Sequence, residues 1–306
     1  MNRPKTDLLD PDKIKEGLKT SRIGRKILVY NSTSSTNDVA AEYARNKQND
    51  GLAVFAEEQT AGRGRAGNRW FSRRAESIIC SIVIFENKLN AELLSLTFAV
   101  AVAEAIDGRG REKAKIKWPN DIMLNGKKVA GILLETKSLP ISDRGEAVPA
   151  LRPVGIPSTT LRTGLPTETN EGKMPSPHHK SKIYIVGIGI NCHQKKESFP
   201  DELQNVATSV DAESHTISDR VLLARRLLSS IDNWLGVAEE NDKDVIDRWR
   251  QLSVQLGRRI SVLYNGNEFT GHCVGIDPEK GLILQLDTGG VRMFDAAHTS
   301  ILKSST

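Results

Sequence analysis

Two long, largely apolar stretches, SIICSIVIF at 77–85 and KIYIVGIGIN at 182–191, constrain the fold most. Runs of this length without polar alternation mark strands covered on both faces, so the chain must build layers around a central sheet. Shorter strand-like segments surround them: KILVY at 26–30, GLAVFAEE at 51–58, KIKW at 115–118 and IMLN at 122–125. Asn125-Gly126 is a strong hairpin turn leading into KVAGILLE at 128–135. Helical spacing of apolar residues runs through Val39, Ala40, Tyr43 and Ala44, where the polar turn NSTSSTN can cap the helix. It recurs at 91–106, 218–238 and 242–253. Strands mixed with helices and hairpins predict an α+β domain over 26–254, not a regular βαβ chain. Beyond it, short alternating strands between turns, including Asn265-Gly266, predict a small β-barrel over 255–306.

Composition narrows the class. Of 306 residues, 38% are hydrophobic and 26% charged, as in globular proteins, and no apolar run approaches the eighteen or so residues of a membrane span. The segment preceding the first strand, 1–25, is charged and lacks the apolar core of a secretory signal, so a cytoplasmic location and no membrane partner are expected. Cys80, Cys192 and Cys273 show no metal-ligand spacing and are expected to be reduced and buried. The net charge of +5 favours anionic partners. Residues 137–182 hold seven of the twelve prolines and no aromatic residue, and are expected to form a disordered insertion. His178-His179 within it lacks other ligands for a metal.

Three segments carry chemistry. The first is QTAGRGRAGNRW at 59–70. Its Gly62, Gly64 and Gly67, with Glu86 beyond, formally fit a dinucleotide-binding fingerprint. That reading fails because a strand, not a helix, follows the last glycine. A better reading is a flexible anion clamp: glycines admit a ligand close to the backbone, Arg63, Arg65 and Arg69 supply fixed positive charge, and Trp70 offers a flat apolar face. The second segment is Lys117-Trp118-Pro119-Asn120-Asp121, a turn with polar residues packed around a Trp. The third is Lys127-Lys128-Val129-Ala130-Gly131. A lysine entering an apolar strand needs an anionic partner; by strict alternation Lys128 shares a face with Ala130 and Ile132.

Together with SSTND at 34–38, KKVAGILLE at 127–135 and GIGIN at 187–191, these segments give the chain a resemblance to the biotin–protein ligases over nearly all of 26–303. The resemblance implies a mixed-sheet catalytic domain of the class II aminoacyl-tRNA synthetase-like, biotin/lipoate ligase type, with a C-terminal SH3-like barrel. It implies an ATP-dependent enzyme that converts biotin to biotinyl-5′-AMP, with Mg2+, and passes biotin to a lysine of a carboxylase biotin-carrier domain. Ser35, Thr36, Asn37, Gln59 and Gly131 would then contact biotin. Arg63, Gly64, Arg65 and Lys128 would hold its carboxylate and the α-phosphate, with Arg63 and Lys128 as the catalytic cations. Trp70, Lys117, Asn120, Asp121 and Asn191 would lie toward the nucleotide. No metal ligand is identified.

There are departures. Asn68 stands where many members carry arginine and Ala66 where some do, which implies a looser loop unless Arg69 compensates. The 137–182 insertion has no usual counterpart. The roughly twenty-five residues before the first strand are too few for the winged helix of repressor-type members, so a monofunctional enzyme without specific DNA binding is expected; a homodimer is left open. A lipoate ligase would lack the arginine-rich loop followed by Trp, and a nucleic-acid binder would need more than 5% aromatic residues.

Overall fold

The structure, a computed structural model, describes residues 7–85, 88–107, 113–140, 180–214 and 216–302. Glu86, His178, His179 and most of the expected insertion lie outside the described residues. The two apolar stretches form β3 (Ser77–Phe85) and β7 (Lys180–Asn191), adjacent antiparallel strands at the middle of a seven-stranded sheet. The order is β1 (Ile27–Tyr30), β2 (Ala53–Ala56), β3, β7, β6 (Lys127–Pro140), β5 (Asp121–Leu124) and β4 (Lys115–Lys117). Among the described strands of this sheet only β1 and β2 pair in parallel, so the sheet is mixed, as expected. Strands β6 and β7 extend into the stretch read as an insertion: Lys137 to Pro140 pairs with Lys180 to Ile183. The polar side chains there hid the strand period. Asn125 and Gly126 both have positive φ, 47° and 74°, as the tight hairpin turn requires.

Alternation divides the central strands between two faces. Ile78, Cys80, Ile82 and Ile84 of β3 and Tyr184, Val186, Ile188 and Ile190 of β7 join the main core. That core is completed by α3 (Ala91–Asp107), α5 (Arg220–Glu240) and α6 (Asp242–Leu252). On the opposite face, Val83, Phe85, Ile183 and Ile185 pack with Val39 and Ala40 of α2 (Thr36–Tyr43) in a second apolar cluster. Helix α2 covers only this end of the face. The other end carries the cleft described below.

The C-terminal strands make a five-stranded antiparallel sheet, ordered β11 (Val291–Phe294), β10 (Gly281–Leu286), β9 (Asn267–Asp277), β8 (Arg259–Tyr264) and β12 (Thr299–Ile301). It joins the first sheet through Gln255, whose side-chain amide accepts from Trp118 N (2.7 Å) and donates to Trp118 O (3.0 Å). Trp118 is fully buried and precedes Pro119 through a cis peptide. All three cysteines are free and buried.

The segment before β1 is more integrated than its charge suggested. Asp10 caps α1 (Pro11–Lys15), and Ile14 and Ile23 are fully buried. Backbone N–H groups of Ser21, Arg22 and Ile23 all donate to Asp232 on α5. Asp7 enters a buried ionic network: the solvent-inaccessible Arg220 bonds Asp7 Oδ2 (3.0 Å) and Glu57 Oε2 (2.9 Å), and His193 lies between Asp7 and Asp211 (2.5 and 2.7 Å). Burial draws the His193 pKa down, but bonds and charge from Asp211 and Asp7 outweigh it and hold the value up at about 9. A pKa raised above the unfolded 6.5 gives stability that is full below pH 6.5 and is lost as the pH rises through about 9. His193→Gln is therefore expected to lower the unfolding free energy by about 2 kcal/mol near pH 6. The deficit relative to wild type should shrink toward pH 9 in denaturant melts; a deficit independent of pH would show that the imidazolium contributes nothing.

Candidate active site

The cleft exists because two glycines interrupt one face of β7. After Ile183 and Ile185, the next residues on that face are Gly187 and Gly189, and the sheet surface drops. Register aligns a row Ile79–Gly189–Gly131 and a neighbouring row Ser81–Gly187–Leu133 across β3, β7 and β6. All of these but Ser81 floor a cavity of about 280 Å3. A Cβ at Gly187 would fall 2.4 Å from Asn37 Oδ1, and one at Gly189 2.3 Å from the Trp70 ring. The glycines are thus required by close approach of side chains, not by backbone conformation.

One end of the cleft is a polar turn. Ser35 precedes α2 in extended conformation without using its hydroxyl as a cap, and Ser35, Thr36 and Asn37 are all buried. Thr36 donates to Gln59 Oε1 through both N (2.7 Å) and Oγ1 (3.1 Å). The Ser81 hydroxyl lies 2.7 Å from Thr36 Oγ1 and 2.6 Å from Asn37 Oδ1. Asn37 Nδ2 is buried with no hydrogen-bond partner, on a residue that lines the cavity. An unpaired buried donor is costly and suits an acceptor on a ligand.

The other end is cationic. Lys128 pairs with Asp121, and its Cε and Nζ sit 3.1 and 3.2 Å from where a Cβ on Gly131 would be. Lys128 therefore shares the cleft face with Gly131, not the core face with Ala130 and Ile132. The expectation from alternation fails because of a β-bulge: Ile122 pairs with Ala130 and Met123 with Lys128, leaving Val129 as the extra residue. One added residue reverses which side chains face the cleft. Asn120 bridges the turn to β6, donating to Ile132 O and accepting from Ile132 N through its own carbonyl (both 2.9 Å).

The loop at 59–70 crosses this floor. Trp70 N donates to Gly62 O (3.0 Å), Gly64 N to Asn68 O (2.7 Å), and Asn68 N and Nδ2 both to Arg65 O (3.0 and 2.9 Å). Asn68 thus ties the loop closed on itself. Arg65 reaches Asn120 Oδ1 (3.3 Å), Ala296 O and Thr299 O (3.3 Å), joining the loop to the C-terminal sheet. Burial draws its pKa below the ordinary guanidinium value, opposed by Asp121, Glu92 and Asp295, and it remains cationic. Glu92 of α3 accepts from Ala296 N (2.7 Å), so both backbone polar groups of that residue are held.

Ser35, Thr36, Asn37, Gln59, Arg63, Gly64, Arg65, Trp70, Lys117, Asn120, Asp121, Lys128 and Gly131 all line this one cleft. Asn191 does not. Its Nδ2 donates to Thr208 O (2.9 Å), and Thr208 N in turn bonds Lys128 O (2.9 Å), so it supports the strand behind Lys128. Sequence reasoning passed over Ser81, Gly187 and Gly189, although glycines at i and i+2 in an apolar strand mark one bare face. It also passed over Thr299–Ile301 of β12, which line the far wall and carry no local signal.

These features define the class. Residues 29–145 match the model of the biotin/lipoate A/B protein ligase family. It is 28% identical over 291 residues to the bifunctional ligase/repressor BirA of Bacillus subtilis, covering 94% of this chain and 78% of that protein. It is 27% identical over 297 residues to the biotin–[acetyl-CoA-carboxylase] ligase of Mycobacterium tuberculosis, covering 93% of each. The fold matches a biotin protein ligase from Aquifex aeolicus solved in complex with biotin and ATP, with a TM-score of 0.67 and 24% identity over 92% of this chain and 100% of that one.

The indole of Trp70 rests on Gly189 and Gly131, so Gly189→Ala should expel it from the floor. Of the four tryptophan indole N–H resonances, one is expected to move while the other three stay. An unchanged spectrum would mean that the floor tolerates a methyl group and that the glycine is not held by contact.

Proposed function

We propose that this protein is a biotin–protein ligase that forms biotinyl-5′-AMP from biotin and ATP and transfers the biotinyl group to a carrier-protein lysine. The observation that carries this is a single cleft with a buried polar turn at one end, where Asn37 Nδ2 lacks a partner, and convergent cations at the other. The Ser35–Asn37 turn suits the ureido ring of biotin, whose carbonyl accepts and whose N–H groups donate. A lipoyl dithiolane offers no comparable acceptor for Asn37 Nδ2. The cleft between Asn37 and Trp70, which themselves rest on the glycines, leaves room for a flat bicyclic ring and its chain, directing the carboxylate toward Lys128 and Arg65.

In the first step a carboxylate oxygen of biotin attacks the α-phosphorus, and the bond to the β-phosphate oxygen breaks as pyrophosphate leaves. Two anions must meet, and Lys128 and Arg65 offset their repulsion and stabilise the added charge at phosphorus. The Asp121 carboxylate keeps the Lys128 ammonium aimed into the cleft before substrate arrives. In the second step the lysine amine attacks the acyl carbon, loses a proton, and AMP departs with the bonding electrons. No enzyme nucleophile is needed. Magnesium, when bound, would neutralise charge on the phosphates; it needs one or two carboxylates, and Asp121 is the acid lining this cleft. Among the described residues no group of three or more metal-ligating side chains exists.

The acceptor we propose is the biotin-carrier domain of a carboxylase, with the reaction in the cytoplasm, where ATP is available. Among the described residues no helix is long and apolar enough to cross a membrane. The test is transfer of labelled biotin to a purified carrier domain with ATP and magnesium. Wild type should label the carrier, and Lys128→Ala should cut labelling by about a hundredfold, as loss of one preorganised cation does. Labelling by lipoate in place of biotin, or full activity of the Lys128→Ala protein, would contradict this reading.

A further inference from the structure

Arg63 is placed differently from the other cations of the cleft. Its guanidinium makes a two-pronged pair with Asp38, Nη1 to Oδ2 at 2.8 Å and Nη2 to Oδ1 at 2.6 Å. Nη2 makes a longer third contact with Glu135 Oε1 at 3.3 Å, and the second oxygen of Glu135 is held by Lys137 Nζ at 3.0 Å. Asp38 stands in the first turn of α2, and Glu135 stands on β6 two residues beyond the cleft-floor Leu133. Neither acid lines the cleft.

The pairing satisfies no buried charge. The Arg63 and Asp38 side chains are 40% and 49% exposed, and a pair so open to solvent adds little to global stability. Its effect is geometric. The loop crosses the cleft, Arg65 fastens one part of it at Asn120 and the C-terminal sheet, and Arg63 fastens another at α2 and β6. A loop tied at one point can swing; one tied at two lies shut. The Arg63 terminal nitrogens are spent on carboxylates, so the anion-binding duty in the cleft falls to Arg65 and Lys128.

We propose that Asp38, assisted by Glu135, is a positioning residue that holds the loop closed through Arg63 and so sets how long the activated acyl intermediate is retained. This rests on the ligase reading above. An exposed, two-pronged pair suits a closure that must also reopen: it is directional, and solvent and salt can compete with it. Opening without an acceptor exposes the mixed anhydride. Water then attacks the acyl carbon, the bond from that carbon to the phosphate oxygen breaks, and biotin, AMP and a proton are released.

The test separates formation from retention. Pyrophosphate release measures formation. Retention is measured by forming the intermediate with labelled biotin, removing excess substrate on a short desalting column, and following loss of protein-bound label without acceptor. Asp38→Asn is expected to leave formation within about twofold and the melting temperature unchanged, while quickening loss about fivefold. Glu135→Gln should give a smaller increase, and Asp38→Glu should restore most of the retention. Added salt should quicken loss from wild type and leave the Asp38→Asn protein nearly unaffected. The proposal is overturned if Asp38→Asn retains the intermediate as wild type does. It is overturned also if formation slows as much as loss quickens, which would place Asp38 in the chemistry. A wild-type protein that releases no pyrophosphate would remove the ligase reading, and this inference with it.

Discussion

A strand can offer a covered face and an open one only if its side chains change size along one face, and β7 does so at Gly187 and Gly189. The rest of the structure depends on that change. Bulky residues on the opposite face bind the sheet to α3 and α5 and keep the floor rigid. Ile183 and Ile185 dock α2, which brings the Ser35–Asn37 turn to the edge of the floor. The antiparallel register with β6 sets Gly131 beside Gly189, and the bulge at Val129 then turns Lys128 over the same surface. A binding pocket and a cationic end are thereby fixed relative to one another by strand pairing, which is stiffer than any loop.

Charge is arranged around this floor so that each cation has a defined partner. Lys128 is aimed by Asp121, Arg65 by Asn120 and the carbonyls of the C-terminal turn, and Arg63 by Asp38 and Glu135. The C-terminal sheet is thus more than an appendage: Thr299–Ile301 complete a wall, and the Ala296 peptide is gripped by Glu92 and Arg65 together. A second ionic cluster, Asp7–Arg220–Glu57 with His193, lies behind β2 only two residues before Gln59 and anchors the leading segment to the catalytic sheet.

What was legible in the sequence follows from interaction range. Strands β3 and β7, the Asn125-Gly126 hairpin and helices α3, α5 and α6 were legible because apolar period and turn chemistry are local signals. The loop and the KWPND turn were legible because polar and charged residues beside apolar strands demand partners. The face of Lys128 was misread, since a bulge breaks the period without leaving a mark in composition. Asn191 resembled a ligand contact but supports Thr208, a distinction that depends on a chain fold seventeen residues away. The roles of Asp7 and Thr299–Ile301 arise from pairs more than two hundred residues apart, for which no local pattern exists.

The most direct test of the central claim is a crystal structure of the protein with biotinyl-5′-AMP bound. The expected result places the bicyclic ring over Gly187 with its ureido group on Thr36 and Asn37, and the phosphate between Lys128 and Arg65. A ligand bound away from the Gly131–Gly189 floor, or a phosphate with no contact to Lys128, would contradict the account.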